Sequence, residues 1–418
     1  MEQVLLRHNM IRAYKRVKSN GGAPGIDGMT VEDLMPYLHK HWVGIKEDLL
    51  QDRYRPQPVR RVEIPKPNGG VRLLGVPTAV DRLIQQALLQ VLTPLIAPEF
   101  ADESYGFRPG RSAHDAARVA RAHMDEGHQW VVDMDLEKFF DRVNHDVLMS
   151  RVARRIRDQR VLRLIRKYLQ SGVMSNGVVV STEEGTPQGG PLSPLLANIL
   201  LDDLDCELQS RGHRFVRYAD DVNVYVKSRR AGERVLESLK QWLGKKLRLK
   251  VNEEKSGVRS ASRSKFLGLS FYRSPRGWRV RVAPSSLKRL KERLRRLTSR
   301  NWGVSLRERI RRLNEYTRGW LAYFFIADMK GPLRDLDQWL RRRLRACVWV
   351  QWKRVRTRYR KLRDLGVPGW RVHLRANSRR GPRFMAGAPL SSIPDLDYWR
   401  RHDLMSMTDR YLLLCQRT

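Results

Sequence analysis

Cysteine is nearly missing from this chain, with Cys206, Cys347 and Cys415 alone among 418 residues. An odd number so widely spaced indicates neither a disulfide framework nor a zinc cluster, and a reducing, intracellular setting is expected. Long apolar runs are missing too. No uncharged stretch approaches the roughly 18 residues of a membrane span. Met1 to Arg16 carries Glu2, Arg7, Arg12, Lys15 and Arg16, so no secretory signal is expected there. Acid is scarce relative to base: 44 Asp and Glu against 82 Lys and Arg give a net charge of +38 and a pI near 11.0. Such a charge disfavours a compact chain unless a polyanion takes it up, which makes nucleic acid the first partner to consider. A membrane surface would need an amphipathic anchor or a lipid signal, and neither is found. The length and the 41% apolar content fit a soluble protein of two or three domains.

The chain is organised around Phe215 to Val226, where two β-prone runs meet at Asp220 and Asp221. Val216, Tyr218, Val222, Val224 and Val226 are strand-forming, while Asp is depleted in strands and enriched in turns, so both acids are expected at the tip of a hairpin. Two adjacent carboxylates repel, and a hard divalent cation offsets that repulsion; Mg²⁺ is the usual choice beside phosphate. An acidic surface turn is the plain alternative.

Earlier in the chain, apolar residues at helical spacing end at Asn20 to Gly28, whose glycines and proline predict a turn or a lid. A helix is expected over 31–50. Runs at 59–66 and 70–77 around Pro67-Asn68-Gly69 predict a hairpin carrying Lys66 and Arg72. A helix with Arg82 follows. Glu103 to His114 interleaves Tyr105 and Phe107 with Arg108 and Arg111, a pattern that grips strands by stacking and phosphate contact. Gln129 to Asp141 begins as a strand and offers a third carboxylate, with periodicity leaving Asp133 and Asp135 both open. A basic amphipathic helix is expected over 151–169. Gly185 to Pro194 is a loop in which Gly189 and Gly190 permit close approach and Gln188 offers donor and acceptor. From Pro284, Leu287, Leu290, Leu294 and Leu297 start a basic helical bundle, whose third helix is expected to run on to Arg363.

Together these stretches resemble the reverse transcriptases, or maturases, encoded by bacterial group II introns, closest to the compact group IIC-like members. Tyr218 to Asp221 is similar to the family's Tyr-Ala-Asp-Asp motif, Val131 to Asp141 to its first metal-ligand motif and Gly185 to Pro194 to its nucleotide-pocket motif. The resemblance implies an α+β right-hand polymerase: fingers, an antiparallel-sheet palm, a helical thumb and a small C-terminal DNA-binding module. It divides the chain into an N-terminal extension with a template lid (1–58), fingers and palm (59–280), a thumb or maturase domain (281–365) and the DNA-binding module (366–418). It implies RNA-directed DNA synthesis and help in intron splicing.

Asp135, Asp220 and Asp221 would hold two Mg²⁺ ions. Asp135 is preferred to Asp133 because Phe140 then falls where the family screens the ribose 2′-hydroxyl. Lys66, Arg72, Gln188, Gly189 and Lys255 would meet the nucleotide. Gly25, Arg82, Arg108, Arg111 and Tyr218 would meet template or primer. Expected partners are the intron RNA, a DNA primer or target and deoxynucleoside triphosphates, in the bacterial cytoplasm, with monomer and dimer both open. No His-Asn-His nuclease is expected after the terminal module. The alternatives are a splicing or RNA-folding factor without polymerase activity, and a host-adopted reverse transcriptase.

Overall fold

The computed structural model describes residues 1–65, 71–175, 178–180, 185, 189–391 and 393–416. The chain divides into two compact units, Met1–Ala261 and Ser262–Thr418.

In the first unit, helix Arg7–Asn20 lies against helix Ala79–Ile96. Between them, buried Asn9 donates to the carbonyls of Val4 and Ala87 at 2.8 and 3.1 Å and accepts from Gln90 at 2.8 Å. The expected hairpin forms as β1 (Val59–Pro65) and β2 (Val71–Val76), with Ile64 opposite Arg72. Lys66 lies outside the described residues, and Arg72 is described by its backbone. After β3 (Trp130–Asp135), β4 (Val173–Ser175) runs parallel to β1, and β5 (Val178–Val180) completes the order β2-β1-β4-β5. Neither β4 nor β5 was expected from sequence, since three-residue strands carry too little periodicity to register.

The second sheet holds the acids. Its strands β6 (Arg214–Tyr218), β7 (Asp221–Val226) and β8 (Gly257–Ser260) join β3 in the antiparallel order β6-β7-β3-β8. Side chains alternate across it. Val132, Met134, Val222, Val224 and Val226 face the core with helix Arg229–Lys246, where a Cβ on Gly232 would stand 2.7 Å from a Val258 methyl. On the opposite face, helix Ala113–Asp125 brings His123 to Tyr225, ring centroids 5.4 Å apart.

The basic helix expected over 151–169 is instead two, His145–Arg155 and Gln159–Gln170. Asp158 causes the break, because its carboxylate accepts from the Arg160 amide at 2.9 Å and caps a new helix.

The second unit opens with β9 (Lys265–Phe266), β10 (Leu269–Ser274) and β11 (Gly277–Val282) in the order β11-β10-β9. The expected boundary at 280–281 falls inside β11. The helices Pro284–Leu297, Leu306–Phe324 and Lys330–Gln351 follow, burying Leu290, Leu294, Ile310, Leu313, Leu336, Leu340 and Leu344. Buried Arg309 donates to the carbonyls of Leu297, Ser299 and Trp302 at 2.8 to 2.9 Å, satisfying acceptors that the end of the first helix leaves open. The third helix stops at Gln351 rather than running on, and Val355–Asp364 is separate. Helix Met407–Cys415 returns onto Lys330–Gln351, capped by buried Asp337, which accepts from the amides of Met407 and Thr408 at 3.0 Å each.

Candidate active site

At the end of the four-stranded sheet, β3 and β7 place Asp135 directly opposite Asp221, and β6 and β7 place Tyr218 opposite Asp221. The two-residue turn is Ala219-Asp220, so Asp220 alone is at the tip. The expectation that both acids share the bend is corrected: Asp221 is the first residue of a strand. Propensity disfavours Asp there, and the sheet register overrides it. Ala219 has φ +58, a left-handed value costly for any residue with a Cβ.

Asp133 and Asp135 point to the same face of β3, two residues apart. Their surroundings separate them. Asp133 lies opposite Asn223, two residues back along β3 from Asp135, and is paired with Arg259 at 2.9 Å; burial pushes its carboxyl up to about 6 against the pull of Arg259. Asp135 pairs with Lys255 at 3.1 Å. Asn252 donates to the Asp135 carbonyl at 2.8 Å, and the Asp135 amide donates to the Ser256 hydroxyl at 2.9 Å, so the 252–256 loop is fastened to the strand end and holds Lys255 over the acid.

Asp221 is the electrostatic centre of the group. Burial, then the charges of Asp220, Asp135 and Asp133, push its carboxyl up to about 7, with Lys255 opposing. Clustered acids with one ammonium between them are a set of hard oxygen donors short of positive charge, which fits a divalent cation. The Lys255 ammonium stands in for part of that charge. As placed, no three His, Cys, Asp or Glu groups among the described residues close around a single metal position.

Phe140 is half-buried in a short 3-10 turn, edge-on to Phe139 with centroids 5.1 Å apart. Gly185 has φ +97 and packs against this turn: a Cβ there would stand 3.1 Å from the carbonyl oxygens of Phe140 and Asp141. Gln188 lies outside the described residues. Gly189 makes its close approach to protein, since a Cβ would stand 2.7 Å from the Gly75 oxygen of β2. Gly25 likewise presses on the backbone of Thr78, and Arg82 donates to the Gly21 carbonyl at 3.3 Å, so the loop around Gly21 and Gly25 is braced on helix Ala79–Ile96 and its N-cap.

The arginines of the Tyr105–Arg111 loop are both bonded to the protein itself. Arg108 donates to the carbonyls of Ala101, Ser104 and Ala97, the last two at 2.9 and 3.0 Å. Arg111 bonds Asp102 and covers the Tyr105 ring at 5.4 Å. The exposed aromatic is Phe107, 56% accessible with φ +57. Sequence reasoning noted the loop without separating its buried ring from its open one, because which ring faces solvent is set by the tertiary fold.

Residues 64–271 match the reverse transcriptase (RNA-dependent DNA polymerase) family, and residues 287–366 match the group II intron maturase-specific domain. The Escherichia coli protein YkfC is 33% identical over 289 residues, covering 60% of this chain and 76% of YkfC. The chain belongs to the group II intron reverse transcriptase and maturase family. It is also 31% identical to the group II intron-encoded protein LtrA of Lactococcus lactis over 322 residues, 61% of this chain and 53% of LtrA, so it spans about half of that relative. A 91 kDa protein in the cob intron of Schizosaccharomyces pombe is 34% identical over 209 residues, 48% of this chain and 25% of that protein. As a member of this family the chain carries a reverse transcriptase (RNA-dependent DNA polymerase) domain of mixed helix and sheet, followed in sequence by a group II intron maturase-specific domain. Reverse transcriptases use divalent metal ions, and RNA and DNA are their partners. Among the described residues no helix is long and apolar enough to cross a membrane.

Proposed function

We propose that this chain copies its parent intron RNA into DNA at Asp135, Asp220 and Asp221, extending a DNA primer with deoxynucleoside triphosphates, and that it binds the same RNA to assist splicing. The observation that carries the reading is the register: Asp135 opposite Asp221, with Asp220 in the adjoining two-residue turn. The three carboxylates would hold two Mg²⁺ ions, whose chemistry is to lower the pKa of the primer 3′-hydroxyl and to offset charge on the leaving pyrophosphate.

The chain's own residues supply the rest. Lys255 offsets negative charge at the site, that of Asp135 in the free protein and that of the triphosphate when substrate is bound. Phe140, wedged against Phe139, sets a preference for deoxyribose by denying room to a 2′-hydroxyl. Lys66 and Arg72, with Gln188 and Gly189, complete the nucleotide pocket. The Gly25 loop and Arg82 guide the template, Tyr218 lies beside the primer end, Arg108 and Arg111 hold the loop, and exposed Phe107 offers a stacking face.

The regions 281–365 and 366–418 serve as thumb and DNA-binding module. A cleft of about 620 Å³ between helices Val355–Asp364 and Gly369–Ala376, lined by Val355, Arg356, Tyr359, Arg360, Arg363, Asp364, His373 and Asn377, has three arginines against one carboxylate and a tyrosine ring, a make-up that suits nucleic acid.

Asp220→Ala and Asp221→Ala are each expected to abolish cDNA synthesis on a primed RNA template while intron RNA binding is retained. Full synthesis by either variant would sink the catalytic assignment.

A further inference from the structure

Beneath the acid-bearing turn lies a fully buried ion pair that the chemistry above does not use. Arg217, one residue before Tyr218, and Asp205, on helix Ser193–Ser210, are both 0% exposed. An isolated buried guanidinium is costly, and a buried pair contributes little net stability unless every donor is satisfied. Here they all are. Arg217 Nε donates to both Asp205 oxygens at 2.7 and 3.0 Å, and Nη2 donates to Asp205 and to the Ser104 hydroxyl, the latter at 2.8 Å. Nη1 donates to Asn198 Oδ1 at 2.9 Å and, at 3.0 Å, to the carbonyl of Ala219. That last acceptor is the turn itself.

The same network reaches the turn from a second side. Asn198 donates through Nδ2 to the Gly106 carbonyl at 2.8 Å. A Cβ on Gly106 would stand 2.3 Å from the Ala219 amide nitrogen, so this glycine lies flat on the turn. The Arg217 backbone is clasped by the same loop, donating to Glu103 and accepting from Tyr105 at 2.9 Å each. Ala219 holds its left-handed φ of +58 between these contacts, a conformation that persists only when its surroundings over-determine it.

We propose that Arg217, charge-compensated by Asp205 and oriented by Asn198 and Ser104, is a positioning residue that fixes the Ala219-Asp220 turn and so sets Asp220 relative to the Asp135–Asp221 pair. Arg217 touches neither substrate nor metal; it acts through the Ala219 carbonyl. Lys at this position keeps the charge but lacks the planar fork needed to serve Asp205, Asn198 and the turn at once. The inference rests on the reading of Asp135, Asp220 and Asp221 as the metal-holding set.

The test uses the full chain as Arg217→Lys, the charge-free pair Arg217→Met/Asp205→Leu, and the milder Asn198→Ala. Residues around metal ligands typically change metal affinity about 10- to 100-fold when altered, and a shift of that size is expected in the Mg²⁺ concentration that half-saturates the thermal stabilisation of the free protein for the first two variants. Asn198→Ala is expected to shift it less, in the same direction. Two further readouts separate positioning from folding. In metal-free protein, hydrogen exchange across Tyr218 to Val222 should quicken while β3 stays protected. In turnover, kcat at low Mg²⁺ should fall while KM for the nucleotide holds, with partial recovery at high Mg²⁺.

If the double variant folds and keeps wild-type Mg²⁺ dependence and turn protection, the proposal is overturned. Should both severe variants unfold, Asn198→Ala decides it alone, and wild-type behaviour there overturns it equally. Asp220→Asn run in parallel tells the two readings apart: if it retains synthesis and Mg²⁺ stabilisation, the carboxylate assignment has failed, whereas normal Arg217 variants beside a dead Asp220→Asn refute the positioning role only.

Discussion

Asp221 carries the consequence of crowding carboxylates at one end of the sheet. In the folded chain burial and its neighbours push it up to about 7, against about 3.9 for an unfolded Asp. Between those values the folded state keeps a proton that the unfolded state has released. Metal-free stability therefore falls as pH rises through that window and levels off above pH 7. Mg²⁺ needs the ionised form, so its stabilisation should grow over the same range. Thermal unfolding from pH 5 to pH 8, with and without Mg²⁺, checks both trends, and Asp221→Asn should flatten the metal-free slope. Asp133 shows how neighbours divide labour among like residues: it shares a face with Asp135, but Arg259 occupies it. Spacing alone left the two acids open because a period of two puts both on one side; the resemblance favoured Asp135, and the register, which sets Asp135 against Asp221 and Asp133 against Asn223, gives the two different surroundings.

The elements divide by what makes them. The β1–β2 hairpin, the β6–β7 hairpin and the first bundle helices follow from alternation, turn residues and leucine spacing, and these were legible. Breaks inside long basic stretches were not. Asp158 ends one expected helix by offering its carboxylate to amides of the next, a choice between solvation and capping that composition cannot reveal. The C-terminal region, expected as an appended module, is tied into the second unit through Asp337. That carboxylate also accepts from the Thr408 hydroxyl at 2.7 Å. Asp337→Ala should cost about 1 to 2 kcal/mol as a lost cap. The visible result should be faster proteolysis and hydrogen exchange over helix Met407–Cys415. Undisturbed protection there would show that apolar packing alone holds the helix.

At the scale of the whole molecule the excess of cations dominates. Phosphate contacts by Lys and Arg release counterions, so affinity for primed template should fall by about 10³-fold or more between 50 and 200 mM salt. A filter-binding series at fixed pH measures the slope, and a flat profile would remove the basic surfaces as the grip. By itself the sequence determined the charge, and with it the class of partner, because charge needs no fold to be counted. It also determined the order of the motifs and the strand and helix character of the segments bearing them, because side-chain periodicity is local. The tertiary structure decided which acids meet, that Gly189 and Gly25 approach protein backbone, that Arg108 and Arg111 bond to the protein itself while Phe107 stays open, and that Arg217 and Asp205 are buried together under the turn. Those outcomes depend on strand register and on contacts between residues far apart in the chain, such as Ser104 with Arg217, which no local pattern encodes.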